Sequence, residues 1–233
     1  MKNFLLGLLV FPGMALAASA GYRLDASPHD MRDLVSLQSG ARTYMNYCLG
    51  CHGVQFVRYK GLTEFGLSEA QIKDNLMFTA DKVGEPIKAT GFEPKQAKAW
   101  FGVAPPDLSV IARSRGADWL YTYLRTFYRD PKTVTGWNNA VFPNVAMPHA
   151  LWTLQGERGL DEKTHGFVEI SKGTQSPTEY DATVRDLVNF LVYVSEPHAA
   201  SRKAIGVITL FVLLGVLLPL TYWLKKEFWK DVK

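Results

Sequence analysis

Both cysteines of the 233-residue chain lie in one short segment, Cys48-Leu49-Gly50-Cys51-His52. C-x-x-C-H is the attachment sequence of c-type haem. Two thiols one helical turn apart can add to the two vinyl groups of one porphyrin, and the next residue then has its imidazole beneath the iron. The spacing therefore predicts one covalently bound haem, with His52 as the proximal ligand of the iron.

Other uses of a close cysteine pair fit this chain less well. A thioredoxin-like redox pair belongs in an α/β context, and the sequence shows no βαβ pattern. A structural zinc site needs four ligands, and the chain has no second cysteine pair. A disulfide between residues this close would close too small a loop to stabilise the protein appreciably. We therefore interpret the segment as a haem-attachment site.

The second axial ligand of the iron is left open by the residues themselves. Met147 lies in Val145-Ala146-Met147-Pro148, where the proline disfavours a helix and a loop can lay a thioether across a haem face. His149 is the alternative, and it would lower the reduction potential relative to a Met/His pair. Met45 and Met77 fall on or near predicted helices and are interpreted as packing residues. The remaining candidates are Met31, His29, His165 and His198.

Haem also carries propionates, and buried carboxylates without a cation are costly. Arg113 and Arg115 follow closely after Pro105-Pro106-Asp107-Leu108-Ser109. Either arginine can make a bidentate contact with a propionate. A solvated arginine on a surface helix is the ordinary alternative for both.

Two amphipathic helices are predicted on either side of these segments. From Asp33 to Cys48 the apolar residues repeat every three or four positions, which predicts a helix that leads directly into the cysteine motif. A capping box with proline at the first helical position, Ser176-Pro177-Thr178-Glu179, begins another helix, and Pro197 ends it. No alternating pattern of useful length predicts a strand. Shorter helices are predicted over residues 68–76 and 118–128.

The N-terminal residues 1–17 have the layout of a secretory signal peptide: a lysine, a short apolar run, a helix-breaking Pro-Gly pair and then small residues. Ala17 and Ala20 both end an A-x-A triplet, and we favour cleavage after Ala17. The apolar run is too short to cross a bilayer as an uncleaved anchor.

Near the other end, Ala204 to Leu224 is a run of 21 residues without a charge. At helical rise it spans about 31 Å, the thickness of a hydrocarbon core. The run predicts a membrane anchor over residues 202–224 and a basic cytoplasmic tail over 225–233, since positive residues favour the inside. Residues 18–201 are then expected to form a single domain facing the periplasm.

Charge argues against one further class of partner. The chain carries a net charge of +4, but residues 21–203 hold 21 basic and 20 acidic residues and are nearly balanced. No basic stripe interleaved with aromatic residues is present, and we expect no nucleic-acid binding.

Taken in order, the motifs resemble those of the cytochrome c1 family, the haem subunits of cytochrome bc1 complexes. The resemblance covers the whole mature chain. Its motifs are Cys48–His52, Ala104-Pro105-Pro106-Asp107-Leu108-Ser109 with Arg113 and Arg115, Ala146-Met147-Pro148, and Ser195-Glu196-Pro197 before a C-terminal membrane helix.

The resemblance implies a mainly α, cytochrome c-like haem domain with long loops and one transmembrane helix. It implies that Cys48 and Cys51 form the thioether attachments and that His52 and Met147 are the iron ligands. It also implies that Arg115 contacts a propionate and that Pro106 lies against the haem edge.

The function implied by the resemblance is electron transfer from a Rieske iron–sulfur protein to a c-type cytochrome. The chain would act within a dimeric, quinol-oxidising complex that contains cytochrome b, in a bacterial inner membrane. By itself it would be an electron carrier, with no catalytic acid, base or nucleophile. The sequence departs from the family in the short segment 82–100 and in lacking an acidic run for docking the acceptor.

Two alternatives remain open at this point. One is a membrane-anchored c-type cytochrome of another respiratory complex, such as a terminal oxidase. The other is a haem peroxidase, in which the second axial position of the iron is vacant.

Overall fold

The computed structural model describes residues 22–161, 164 and 166–231. The predicted signal peptide, both of its cleavage sites and the candidate ligand His165 lie outside the described residues.

Helices dominate the described part of the chain, which confirms the mainly α expectation. One long helix, Leu34–Tyr47, leads into the cysteine motif, and another, Pro177–Ser195, precedes the C-terminal apolar run. In chain order the α-helices are α1 (Leu34–Tyr47), α2 (Glu69–Asn75), α3 (Pro94–Phe101), α4 (Ile111–Arg115), α5 (Ala117–Arg125), α6 (Trp152–Gln155), α7 (Pro177–Ser195), α8 (Ala199–Val212) and α9 (Leu218–Phe228), with a 3₁₀ helix at Tyr59–Phe65.

Short strands form three separate antiparallel pairs, β1 with β2, β3 with β4 and β5 with β6. The sequence, which shows no alternating pattern of useful length, does not predict these strands. Segments of two to six residues are too short for an alternating pattern to stand out from the loops around them. The strands are β1 (Val54–Arg58), β2 (Pro86–Ile87), β3 (Phe127–Arg129), β4 (Trp137–Asn139), β5 (Gly156–Leu160) and β6 (Phe167–Lys172).

Three of the four predicted helices begin at a residue whose side chain caps the helix, and the fourth, α5, begins at Ala117 without a side-chain cap. Asp33 accepts the N–H of Ser36 at the start of α1. Ser68 begins α2 and Ser176 begins α7, each with a complete capping box. For the helix predicted over residues 118–128, the predicted end is wrong. The helix α5 stops at Arg125, because the chain then turns to pair β3 with β4.

The helices α1 and α7 cross at close range and form the centre of the hydrophobic core. A Cβ atom at Gly40 would overlap the backbone carbonyl of Asp186 and the Cβ of Phe190, so only glycine permits this approach. Beside the crossing, Ser36 Oγ donates a hydrogen bond of 2.7 Å to the Asp186 carboxylate. Fully buried residues of the crossing include Leu37, Ala41, Tyr44, Leu187, Val188 and Phe190.

A continuous helical segment, Ser201–Phe228, is long and apolar enough to cross a membrane. It contains the predicted span, and its large apolar side chains are exposed. Its middle, Leu213–Leu217, has π-helical hydrogen bonding just before Pro219. Proline cannot donate to the carbonyl four residues earlier and its ring crowds that carbonyl, so a wider turn relieves the conflict.

Replacing Gly40 with valine should destabilise the folded domain by about 1–3 kcal/mol, because the added side chain forces α1 and α7 apart. Chemical denaturation of the full-length protein in detergent measures this change. Gly84→Val is the matched control, since a Cβ at Gly84 meets no atom within 4 Å. Equal effects of the two substitutions would show that the close helix crossing does not limit stability.

Candidate metal centre

One cleft brings together the four side chains predicted to hold haem and its iron: Cys48, Cys51, His52 and Met147. Pro106 also lines it, and no lining residue carries a formal charge. Its walls therefore present two thiols, an imidazole nitrogen and a thioether sulfur to one uncharged space.

The end of α1 places the cysteine motif at this cleft. The backbone N–H groups of Cys51 and His52 both donate to the carbonyl of Cys48, at 3.0 and 2.8 Å, so the motif turns tightly after the helix. Leu49 points into the core and anchors the turn. Both thiols are free, and burial raises the pKa of Cys51 and raises that of Cys48 to about 12. The end of α1 and the turn after it thus bring both thiols to the cleft.

The His52 ring is held in one orientation by the backbone of the Pro-Pro-Asp segment. Its Nδ1 lies 2.7 Å from the carbonyl oxygen of Pro106. An N–H donates to a carbonyl, so Nδ1 carries the proton and Nε2 keeps a free lone pair. Burial also lowers the pKa of His52, which favours the neutral imidazole. A neutral ring with an available Nε2 is the form that binds a metal.

Asp107 and Ser109 hold that segment against the strand that follows the motif. The Asp107 carboxylate accepts the N–H groups of Gln55 at 3.0 Å and of Ser109 at 2.9 Å. Ser109 Oγ in turn accepts the N–H of Phe56 at 3.1 Å. These bonds explain why a specific Asp-Leu-Ser sequence follows the prolines: its polar groups fix the position of the Pro106 carbonyl.

The loop that carries Met147 depends on Asn139, which sequence reasoning did not identify. Asn139 is fully buried, and its Oδ1 accepts the N–H groups of Val141 and Phe142 at 2.9 and 3.1 Å. Its Nδ2 donates to the carbonyl of Tyr123 at 2.7 Å. The loop is thereby tied to α5. The adjacent asparagines at the end of β4 were the available signal, because Asn side chains commonly substitute for backbone partners where the chain turns.

Tyr123 is a second residue that sequence reasoning missed. Its hydroxyl lies 3.3 Å from Met147 Sδ, at the side of the thioether. Burial raises the pKa of Tyr123, so the phenol keeps its proton. No local pattern signals this contact, because it joins a helix to a loop 24 residues later.

The structure separates Met147 from the alternative ligand His149. His149 is buried outside the cleft lining, with Nε2 2.8 Å from Gln155 Oε1 and its ring stacked on Phe127 at 4.8 Å. Burial lowers the pKa of His149 to about 3, so it is neutral at ordinary pH.

The other described candidates also lie outside the cleft lining. Met45 is buried in the core, and Met77 packs against the core, as expected of packing residues. Met31, His29 and His198 are absent from the lining as well.

Neither candidate arginine lines the cleft itself. The Arg115 guanidinium lies over the rings of Trp119 and Phe142, 5.1 and 5.7 Å from their centroids. Neither Arg113 nor Arg115 forms an ion pair with a carboxylate of residues 22–161, 164 or 166–231. The contact of Arg115 with a propionate therefore stays a prediction.

The sequence is similar to one known family over almost its whole length. The model of the Cytochrome C1 family matches residues 25–232. A protein of Allochromatium vinosum named cytochrome c1 is 43% identical over 236 residues, which cover 97% of this chain and 96% of the relative. A protein of Nitrosomonas europaea named ammonia monooxygenase gamma subunit is 48% identical over 232 residues, covering 100% of this chain and 98% of the relative. A cytochrome c1 of Rhodospirillum rubrum is 28% identical over 238 residues, covering 86% and 83%.

Asn139→Ala should loosen the loop around Met147, because it removes the side-chain partners of three backbone groups. We expect amide hydrogen exchange in peptides covering residues 140–148 to accelerate by about tenfold or more, since tenfold corresponds to roughly 1.4 kcal/mol and each lost buried bond costs about that much. Mass spectrometry of the deuterated peptides measures the effect. Asn46→Ala is the control: Asn46 is exposed and donates only to the Arg42 carbonyl. Unchanged exchange in Asn139→Ala would contradict the role given to Asn139.

Proposed function

Because the chain belongs to the cytochrome c1 family, we propose that it is the haem-bearing electron carrier of a cytochrome bc1 complex. The observation that carries the proposal is the cleft itself. Two thiols, an imidazole oriented by Pro106 and a thioether line one uncharged space. These donor types are the ones that attach and ligate a c-type haem.

We assign a role to each of the four side chains of the cleft, and their shared lining supports the assignment. Cys48 and Cys51 would tether the haem through thioether bonds, and His52, through Nε2, and Met147 would supply the ligands of its iron. The haem supplies a one-electron couple when bound. The residues supply a fixed position and an apolar surrounding, which favours the less charged ferrous state and so raises the potential. No side chain needs to move a proton or attack a substrate.

A haem peroxidase is disfavoured by Met147. Such an enzyme leaves one axial position of the iron free for its substrate, whereas Met147 lines the same cleft as His52. The Asn139 bonds and the Tyr123 contact hold the methionine loop in place.

We propose the following topology and partners. Residues 1–17 are a cleaved signal peptide, 18–201 form the periplasmic haem domain, 202–224 cross the inner membrane and 225–233 form a cytoplasmic tail. The four lysines of the tail support this orientation. The donor is a Rieske iron–sulfur protein and the acceptor a c-type cytochrome, within a dimeric complex that contains cytochrome b.

Purification of the native complex in mild detergent tests the choice of complex. We expect a tagged chain to co-purify with cytochrome b and a Rieske protein, because the family works in that assembly. The control is a tagged membrane protein of similar size from the same cells. Co-purification with the catalytic core of a terminal oxidase, without cytochrome b, would overturn the proposal in favour of the alternative complex.

Met147→Leu should leave the haem attached but lower its midpoint potential sharply and abolish the weak methionine-to-iron absorption band, because the thioether ligand is lost. Redox titration with absorption spectra measures both. Met45→Leu is the matched control, since Met45 packs in the core, and it should keep the potential. An unchanged potential in Met147→Leu would remove Met147 from the ligand set.

A further inference from the structure

We propose that Tyr123 is a positioning residue for Met147. The Tyr123 phenol donates a hydrogen bond to the thioether sulfur of Met147 and thereby raises the reduction potential of the haem that Met147 would ligate. This inference rests on the proposed ligation by Met147. Tyr123 is absent from the cleft lining, so it acts through Met147.

The geometry of the contact is that of a hydrogen bond to sulfur. The Tyr123 hydroxyl is 3.3 Å from Met147 Sδ. Tyr123 is only 8% exposed, and no other acceptor for its hydroxyl occurs among the residues that the structure describes. A buried phenol without an acceptor is costly, whereas a thioether is a weak but available one.

The Tyr123 ring has little freedom to move away from the sulfur. Trp119, one turn earlier on α5, stacks on it with centroids 4.6 Å apart and planes at 12°. Phe127 packs edge-on from the other direction, at 5.0 Å. The Arg115 guanidinium covers Trp119 in turn. Such aromatic contacts stabilise specific ring geometries beyond simple burial.

The backbone of Tyr123 is tied to the same loop as its side chain. Its carbonyl accepts a hydrogen bond from Asn139, and Asn139 organises the first residues of the loop that leads to Met147. Tyr123 thus contacts both the beginning of this loop and the sulfur near its end. A shift of α5 would move both contacts together.

The expected electronic effect has a definite sign. A hydrogen bond draws electron density from the sulfur, and a weaker sulfur donor stabilises the more highly charged ferric iron less. Hydrogen bonding around the axial ligand is one of the levers by which a protein sets the potential. Loss of the bond should therefore favour the ferric state and lower the potential.

Tyr123→Phe is the first test, because it keeps the ring and its stacking and removes only the oxygen. We expect the ferrous-to-ferric ratio at a fixed potential to fall by about 2- to 10-fold, the range for one net hydrogen bond. At 59 mV per tenfold change for a one-electron couple, this corresponds to a midpoint potential lower by about 20–60 mV. The methionine-to-iron band should persist but shift. The measurement is a redox titration of the full-length holoprotein in its detergent-extracted complex.

Tyr121→Phe is the matched control on the same helix. The centroid of the Tyr121 ring is 4.5 Å from the guanidinium carbon of Arg125. Loss of the Tyr121 hydroxyl should therefore leave the reduction potential unchanged. If Tyr123→Phe and Tyr121→Phe both match the wild-type potential and spectrum, the inference is wrong.

A second substitution changes the donor in the opposite direction. Incorporating 3-fluorotyrosine at position 123 retains the size of the ring and makes the phenol a stronger donor, so the potential should rise. A residue that only fills space would not shift the potential in opposite directions in the two variants. If Tyr123→Phe fails to bind haem, the fluorinated protein decides alone, and the absence of an upward shift overturns the inference. Failure of the ligation itself is distinguishable, because Met147→Leu would then leave the potential unchanged.

Discussion

The hydrogen bond from His52 Nδ1 to the Pro106 carbonyl joins two segments that are 54 residues apart and fixes the His52 imidazole in the cleft. It sets the tautomer, so that the nitrogen left free is Nε2. Much of the surrounding polar structure serves this contact: Asp107 and Ser109 bond the backbone on both sides of it. Without this hydrogen bond the His52 ring would be free to rotate, and the cysteine motif would present its two thiols without an oriented metal ligand.

The side of the cleft that carries Met147 is formed by different elements from the side that carries His52. Its parts are α5, the short β3–β4 pair and the loop after it, with Asn139 bonding to both helix and loop. The two sides face each other across the uncharged cleft and are joined behind it by the core, where α5 packs against α7 and α7 packs against α1. A prosthetic group tethered to Cys48 and Cys51 and held by His52 and Met147 would add a direct link between them, so that haem binding would also stabilise the domain.

How far the sequence predicts the structure depends on whether a feature is local. The cysteine motif is readable because covalent chemistry fixes its spacing, and the starts of α1, α2 and α7 are readable because Asp33, Ser68 and Ser176 cap them within a single turn. Whether Met147 or His149 lines the cleft is not a local property of the sequence. Phe127 and Gln155 contact the His149 ring outside the cleft lining, whereas Met147 lies in it. Tyr123 was missed for the same reason, since its partner lies on a different element.

The intact mass of the denatured protein shows whether haem is covalently attached to this chain. After acid and organic solvent have removed every non-covalent group, we expect a coloured polypeptide whose mass equals that of the processed chain plus one haem. A double substitution, Cys48→Ala with Cys51→Ala, should lose both the colour and the added mass. If the wild-type protein is colourless after extraction and has the mass of the polypeptide alone, then no haem is covalently attached to Cys48 and Cys51.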